Sequence, residues 1–579
     1  VSDAISREQA VSAASEVAVG APDERILDPR RPRDDHHTAP LLKTGSRVAR
    51  AVRAAGPLVV LVPLVQALAI LWLIWERSTD VPMHDEWSMV GLVQRADQGS
   101  LRAGDFWALN NGGHRVVIPR LTTLALIELT DWHRQVIMTV NLVLVVMTGV
   151  LLLQAVRSTV RSPVVTVLLV VLVSLFLFSF TRYHNWLKPY TDKVTTGLGV
   201  AVCVWALVAW PVGRRRFSLA VVGALVASLS SVGGLAAWIA FLPAVWGTDR
   251  RRVAIWVAIA LAVIGAYSVG YPFGEATGAE PGDILTIPGY VVGFLGAPIG
   301  VKQLGLAQAT GLISLVLVVA GLLANQLFGV SSRPGRQSLA AWTGLALFGL
   351  GVATMGALGR EGHNEGLASR YTGFSVLWWI GVVVITVVVA TRLVDRLRAH
   401  EDGTPRTLLR ILVGVNLVAL GLVVVGAVAA STEGFRLGMN WQAEQRQHQR
   451  CVLANESAPD ECLLLFGNRH LVRGGLPYLA QRRLAIFRHG DGPDESPPAP
   501  LPSSKPKKKR RQVDGTPDQR PSADARDVST AGSALHSMGL APLAMTSPAK
   551  RSRTGSTARD PAAADSVGRF RHGSSRRKS

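Results

Sequence analysis

The sequence predicts an all-α polytopic membrane protein with about eleven transmembrane helices, on three observations. Of its 579 residues, 49% are hydrophobic and only 17% are charged, whereas soluble domains carry roughly a quarter charged. Apolar runs of about twenty residues, the length that crosses a bilayer, recur through the middle of the chain. The loops between them alternate in character. One set is rich in arginine; the other is rich in His, Asn, Asp, Glu and aromatic residues. The positive-inside rule requires such an alternation.

In chain order, residues 1–45 read as a disordered cytoplasmic N-terminus, poor in aromatics and rich in Asp, Arg, Ser and Pro. No small-residue cleavage site follows the first apolar run (56–75), so that run is expected to remain as an anchor. Lys43, Arg47, Arg50 and Arg53 precede it, which places its start on the cytoplasmic side. The loop at 77–134 then faces the extracytoplasmic side and contains amphipathic helices suited to a membrane surface. Its last part, 116–130, is too short to span and reads as interfacial or re-entrant. Further spans are expected at 135–156, 163–180 and 194–212. Between Arg214–Arg216 and Arg250–Arg252 the apolar interval suits a hairpin of two short helices turning near 228–234, which keeps both arginine clusters on one side. The remaining spans fall at 253–271, 304–330, 339–358, 374–390 and 411–430, and a short apolar stretch lies at 284–299. The transmembrane domain thus covers 55–431. A small extracytoplasmic C-terminal segment follows (432–488), in which Cys451 and Cys462 are close enough in sequence to pair in an oxidising compartment. Residues 489–579 read as a disordered basic tail.

The net charge of +21 would suggest nucleic acid in a soluble protein. Here the arginine-rich loops and the tail, with KPKKKRR at 505–511, account for it, and no nucleic-acid partner is expected. Membrane lipids or anionic envelope polymers are the expected contacts. The chain contains no Walker A loop, dinucleotide-binding glycine fingerprint or zinc-protease helix motif.

The chemistry is expected to concentrate in the 77–134 loop. Asp85 and Glu86 form an acidic pair at the membrane face that suits a general base, and the same pair can hold a divalent cation such as Mg or Mn. His114, Arg115 and Arg120 follow Asn110 and Asn111; an arginine here suits either a lipid phosphate or snorkelling to headgroups. The loop at 182–193 brings His184 and Lys188 among Tyr183, Trp186 and Tyr190. That composition suits sugar binding and equally suits an aromatic membrane belt, and the belt is the expected reading. In the loop at 359–371, Arg370 and Tyr371 sit at the mouth of a span, where Arg370 suits a phosphate clamp. Ionisable residues gather at one face rather than within the spans, which disfavours the main alternative, a lipid or polymer transporter or an envelope-assembly scaffold.

A first span with its start inside, an acidic pair in the first large extracytoplasmic loop, amphipathic segments there and about eleven spans together resemble the glycosyltransferase C (GT-C) superfamily. The motifs HDEW at 84–87, NNGGHRVVIPRL at 110–121 and ASRYTGFSVLWW at 368–379 look like those of a group of bacterial membrane proteins. The resemblance covers roughly 55–480. That group often carries an Asn-Glu-His-Arg motif; here Gly112 and Gly113 intervene and the Glu is missing. The resemblance implies a multi-pass protein of the bacterial cytoplasmic membrane with its C-terminus outside. It implies inverting transfer of a sugar from a polyprenyl-phosphate donor to a cell-envelope glycan or lipid acceptor. Asp85 would be the base, Arg115 and Arg370 would hold the departing phosphate, and Glu86 and His114 would position acceptor or metal.

Overall fold

The computed structural model describes residues 59–110, 113–210, 213–271, 286–327, 333–358, 366–398, 406–454 and 469–488. The terminal tails, Asn111, Cys462 and residues 359–365 lie outside the described residues. Helices make up the structure: α1 (Leu61–Arg77), α2 (Trp87–Asp97), α3 (Ala103–Trp107), α4 (Val117–Thr130), α5 (Arg134–Thr159), α6 (Pro163–Leu177), α7 (Tyr183–Leu187), α8 (Thr191–Ala209) and α9 (Arg214–Ser230). These are followed by α10 (Ala236–Ala240), α11 (Leu242–Trp246), α12 (Arg250–Ser268), α13 (Thr286–Gly300), α14 (Leu304–Leu327), α15 (Arg333–Leu358), α16 (Thr372–Arg398), α17 (Arg406–Ala454) and α18 (Arg469–Gln481). Among the described residues the only β pairing is an isolated bridge between Asn110 and His114.

Eight segments of the described residues are long and apolar enough to cross a membrane. The protein is thus an all-α polytopic membrane protein. The other expected spans are shorter helices. α1 has 17 described residues, and the interval between the arginine clusters holds α9 and the short α10 and α11. The chain breaks there at Ser231–Gly234: Trp238 Nε1 donates to Ser228 Oγ at 2.9 Å, so the segment folds back on α9. α16 is the hub of the bundle, with 89% of its most apolar stretch buried, whereas the corresponding stretch of α17 is only 11% buried and presents Ile411, Val415, Val418 and Leu422 outward. An apolar face of that kind suits acyl chains.

Two departures from the sequence reading position the site. The helix expected to end near 430 continues as one 49-residue helix to Ala454. Between Ser431 and Ala454 there is no proline to stop it. The run carries Trp441, Gln445 and His448 on its buried face. Gly434 lets it cross the 180–181 segment, where a Cβ would meet the Phe180 carbonyl carbon at 2.4 Å. The loop at 182–193 is also not an aromatic belt: Trp186 is 1% exposed and belongs to the bundle core, and Tyr183 and Leu187 are buried against Trp441 and Leu73.

A second core lies outside the bundle. Trp87, Val90 and Val93 of α2, Ile127 of α4 and Trp132 pack against Val472, Leu476 and Leu479 of α18. The 77–134 loop and the C-terminal segment therefore build one cap. Cys451 is disulfide-bonded and buried in this core, and Cys203 is free.

Candidate functional site

The site starts from a buried arginine. Arg134, at the first turn of α5, is fully buried. Its Nε and Nη2 each donate to a different oxygen of Glu86 at 2.9 Å, its Nη1 donates to the Thr79 carbonyl, and its backbone N–H donates to Asp80 Oδ1 at 2.7 Å. Glu86 also accepts from the Met83 N–H at 2.9 Å. A bidentate pair of this kind is directional as well as strong. It pins the single turn His84–Glu86, in which His84 takes a left-handed backbone with φ 49°. Burial raises the Glu86 carboxyl above its usual range, and the Arg134 charge and hydrogen bonds oppose that rise. Both Glu86 oxygens are thus committed to anchoring the turn.

The consequence is a division within the acidic pair. Asp85, next along the turn, is exposed and lines a cleft of about 360 Å³ with His84, Asn110, His114, Arg120, Lys188, Arg370 and Tyr371. The structure therefore brings most of the predicted site residues together from segments far apart in sequence: the loop before α2, the bridge before α4, the turn between α7 and α8, and the turn before α16. Lys188 is 5% exposed. Its ammonium lies 4.6 Å over the Trp441 ring and makes no ion pair among the described residues. Burial lowers it to about 8, with Glu444 and Glu86 opposing and Arg134 and Arg370 adding to the fall. Beside it, Lys193 pairs with Asp192 at 3.0 Å. Burial and the surrounding positive charge of Lys188 and Arg370 push His84 down to about 4. Arg370 stacks over Tyr371, 4.9 Å from the ring centre. With Glu86 committed to Arg134 and Asp192 to Lys193, the cleft presents an excess of positive charge together with one exposed carboxylate.

Three predicted residues have other places. Arg115 turns away from the cleft: its side chain donates to the carbonyls of Trp107, Tyr267 and Val269 and stacks on Trp107 and Tyr267. It straps the cap to the end of α12, and these contacts use its guanidinium donors. Arg120 lines the cleft, but its Nη1 donates to the carbonyls of Asp105, Phe106 and Ala108 and so closes the end of α3. His184 opens into a second cavity of about 540 Å³ rather than into the cleft. Among the described residues no cluster of three or more His, Cys, Asp or Glu side chains could hold a metal ion. With Glu86 bound to Arg134, the described acidic pair does not form a two-carboxylate cation site.

Arg134, Trp441 and Glu444 are the site residues that sequence reasoning missed. The absence of proline between Ser431 and Ala454 was the available signal for the last two; Arg134 carried none beyond its place at the head of a span. No family model, curated protein or solved structure matches the chain.

Proposed function

We propose that the protein is a membrane glycosyltransferase that moves a sugar from a polyprenyl-phosphate donor to a cell-envelope acceptor. The observation that carries the reading is the combination within one cleft of an exposed Asp85 and a buried Lys188 that makes no ion pair among the described residues. A buried lysine that makes no direct ion pair is costly to keep charged, and an anion bound against it lowers that cost. In the reaction, the acceptor hydroxyl oxygen attacks the anomeric carbon and the bond from that carbon to the phosphate oxygen breaks. The electron pair leaves with the polyprenyl phosphate, and the hydroxyl proton passes to Asp85. Lys188 and Arg370 stabilise the charge that develops on the phosphate. Glu86 and Arg134 act one step back by holding Asp85 in place.

The arginine clusters support an extracytoplasmic cleft. α5 begins at the site with Arg134 and ends near Arg157, and α8 begins beside Lys188 and leads to Arg214–Arg216, so the basic loops lie at the far ends of the helices. The test is transfer of labelled sugar from polyprenyl-phosphate donors in membranes, with the wild type beside Asp85→Asn at matched insertion. Transfer is expected in the wild type and a loss of about 10²–10⁴-fold in the variant. Transfer unchanged by the substitution removes Asp85 from the reaction.

A further inference from the structure

The second cavity shares a wall with the cleft. Leu367, Ala368, Ser369 and Thr372 line the cavity, whereas Arg370 and Tyr371 of the same turn line the cleft. Lys188 faces the cleft over one side of Trp441, and Trp441 in turn lines the cavity. The two spaces differ in what they offer. In the cavity the His184 ring is flanked by Tyr183 and Trp441, with ring centres 4.4 and 4.6 Å away. Asn440, Glu444, Lys302 and Thr181 add to its polar lining.

Three buried polar atoms here have no hydrogen-bond partner: both ring nitrogens of His184 and Nε1 of Trp441. Buried polar atoms are normally satisfied, and these three belong to two side chains that line one cavity, which points to a missing ligand or ordered water beside them. Their chemistry narrows the choice. A neutral imidazole offers one donor and one acceptor, the same pair that a hydroxyl group offers in return, and the indole adds a second donor. Aromatic faces suit the C–H side of a sugar ring. An anion would meet the imidazole lone pair and Glu444, and a purely apolar ligand would leave all three atoms unpaired. The volume falls within the range of small-molecule sites, roughly 300–1,000 Å³.

We infer that the cavity behind His184 binds a neutral hydroxylated sugar ring, stacked on Trp441 and hydrogen-bonded by His184. Its role as the acceptor subsite rests on the transferase reading; sugar binding itself does not. The experiment uses the full chain in lipid nanodiscs and a panel of neutral methyl glycosides of common hexoses and pentoses, with binding read by saturation-transfer NMR. Polyprenyl-phosphate binding is measured on the same samples. At least one glycoside is expected to bind. Trp441→Leu and His184→Ala are expected to weaken it by about tenfold or more, and Trp441→Phe, which keeps the ring face, by much less. Arg370→Ala should leave glycoside affinity unchanged and weaken the lipid phosphate instead. The inference is overturned if no glycoside binds to a protein that still binds polyprenyl phosphate, because ordered water then fills the cavity. It is equally overturned if glycoside binding ignores Trp441 and His184. Glycoside binding without any lipid-phosphate binding leaves the subsite standing and removes the transferase reading.

Discussion

The turn at 367–372 lines two cavities that differ in the charge they present. On one side, Lys188 and Arg370 line a cleft whose carboxylates are either committed, as in Glu86 and Asp192, or exposed, as in Asp85. On the other side, the polar atoms of His184 and Trp441 have no partner, and the aromatic surfaces are larger. The comparison shows that charge in this protein is sorted by pairing rather than by composition. Of the two adjacent acids in HDEW, one is bound to the buried Arg134 and the other is exposed in the cleft.

The largest test of that sorting is Arg134→Ala. It leaves Glu86 in a buried site without its bidentate partner, which costs about 3–5 kcal/mol. Thermal unfolding in detergent should show the loss, and the Arg134→Met, Glu86→Gln pair should recover much of it because the uncompensated charge is gone. Failure of the double variant to recover would mean that the side-chain hydrogen bond from Arg134 to the Thr79 carbonyl matters more than the ion pair.

Lys188→Met probes the opposite case, a charge held without a partner. The variant is expected to unfold at a higher temperature than the wild type while binding polyprenyl phosphate about tenfold or more weakly, since a charge-assisted contact is lost. The wild type should carry a matching pH signature. Lys188 falls from its usual 10.5 to about 8 in the fold, so between those values the unfolded chain holds more protons, and stability rises with pH across that window. Anion affinity runs the other way: it is full below the folded value and falls as pH rises through about 8. A flat affinity profile from pH 7 to 9 would separate Lys188 from the phosphate.

Gly434→Ala acts on both cavities at once. The added methyl meets the Phe180 backbone and must push α17 away from the 180–181 segment, at about 1–3 kcal/mol. Trp441 and Lys188 should move apart, so glycoside and phosphate binding should weaken together. If one changes alone, the shared wall is less rigid than the packing suggests. The smallest effect is expected in the cap, from Arg482→Ala. This arginine is 41% exposed and pairs with Asp97 at 2.7 Å, so its removal should cost under about 1 kcal/mol, and less at high salt. A larger loss would mean that α18 is held on the cap by this pair rather than by Val472, Leu476 and Leu479.

The fold class was legible because apolar runs of spanning length are a local property. The division of arginine-rich and mixed polar loops was legible for the same reason. Most of the cleft was legible as well: Asp85, His114, Arg120, Lys188, Arg370 and Tyr371 all line it, since polar residues at one membrane face have few places to gather. The reading of Arg115 as a phosphate ligand did not survive its contacts. A carbonyl acceptor from α12 leaves no trace in the sequence near Arg115, and an arginine that straps backbone looks the same in a string as one that binds a ligand. The aromatic belt at 182–193 misled for a similar reason, because Trp186 and Tyr183 suit a lipid interface and a packed core equally well.

By itself, then, the sequence determined that this chain is a bundle of membrane helices with ionisable groups concentrated at one end. Hydrophobic length and charge asymmetry act on each segment independently of its neighbours. Only the tertiary structure decided which of those groups are spent and which are available. The pairing of Glu86 with Arg134, the isolation of Lys188 over Trp441, and the separation of His184 from the cleft all depend on residues brought together from distant segments. Burial and pairing set the energy of a charge, and neither exists until those segments meet.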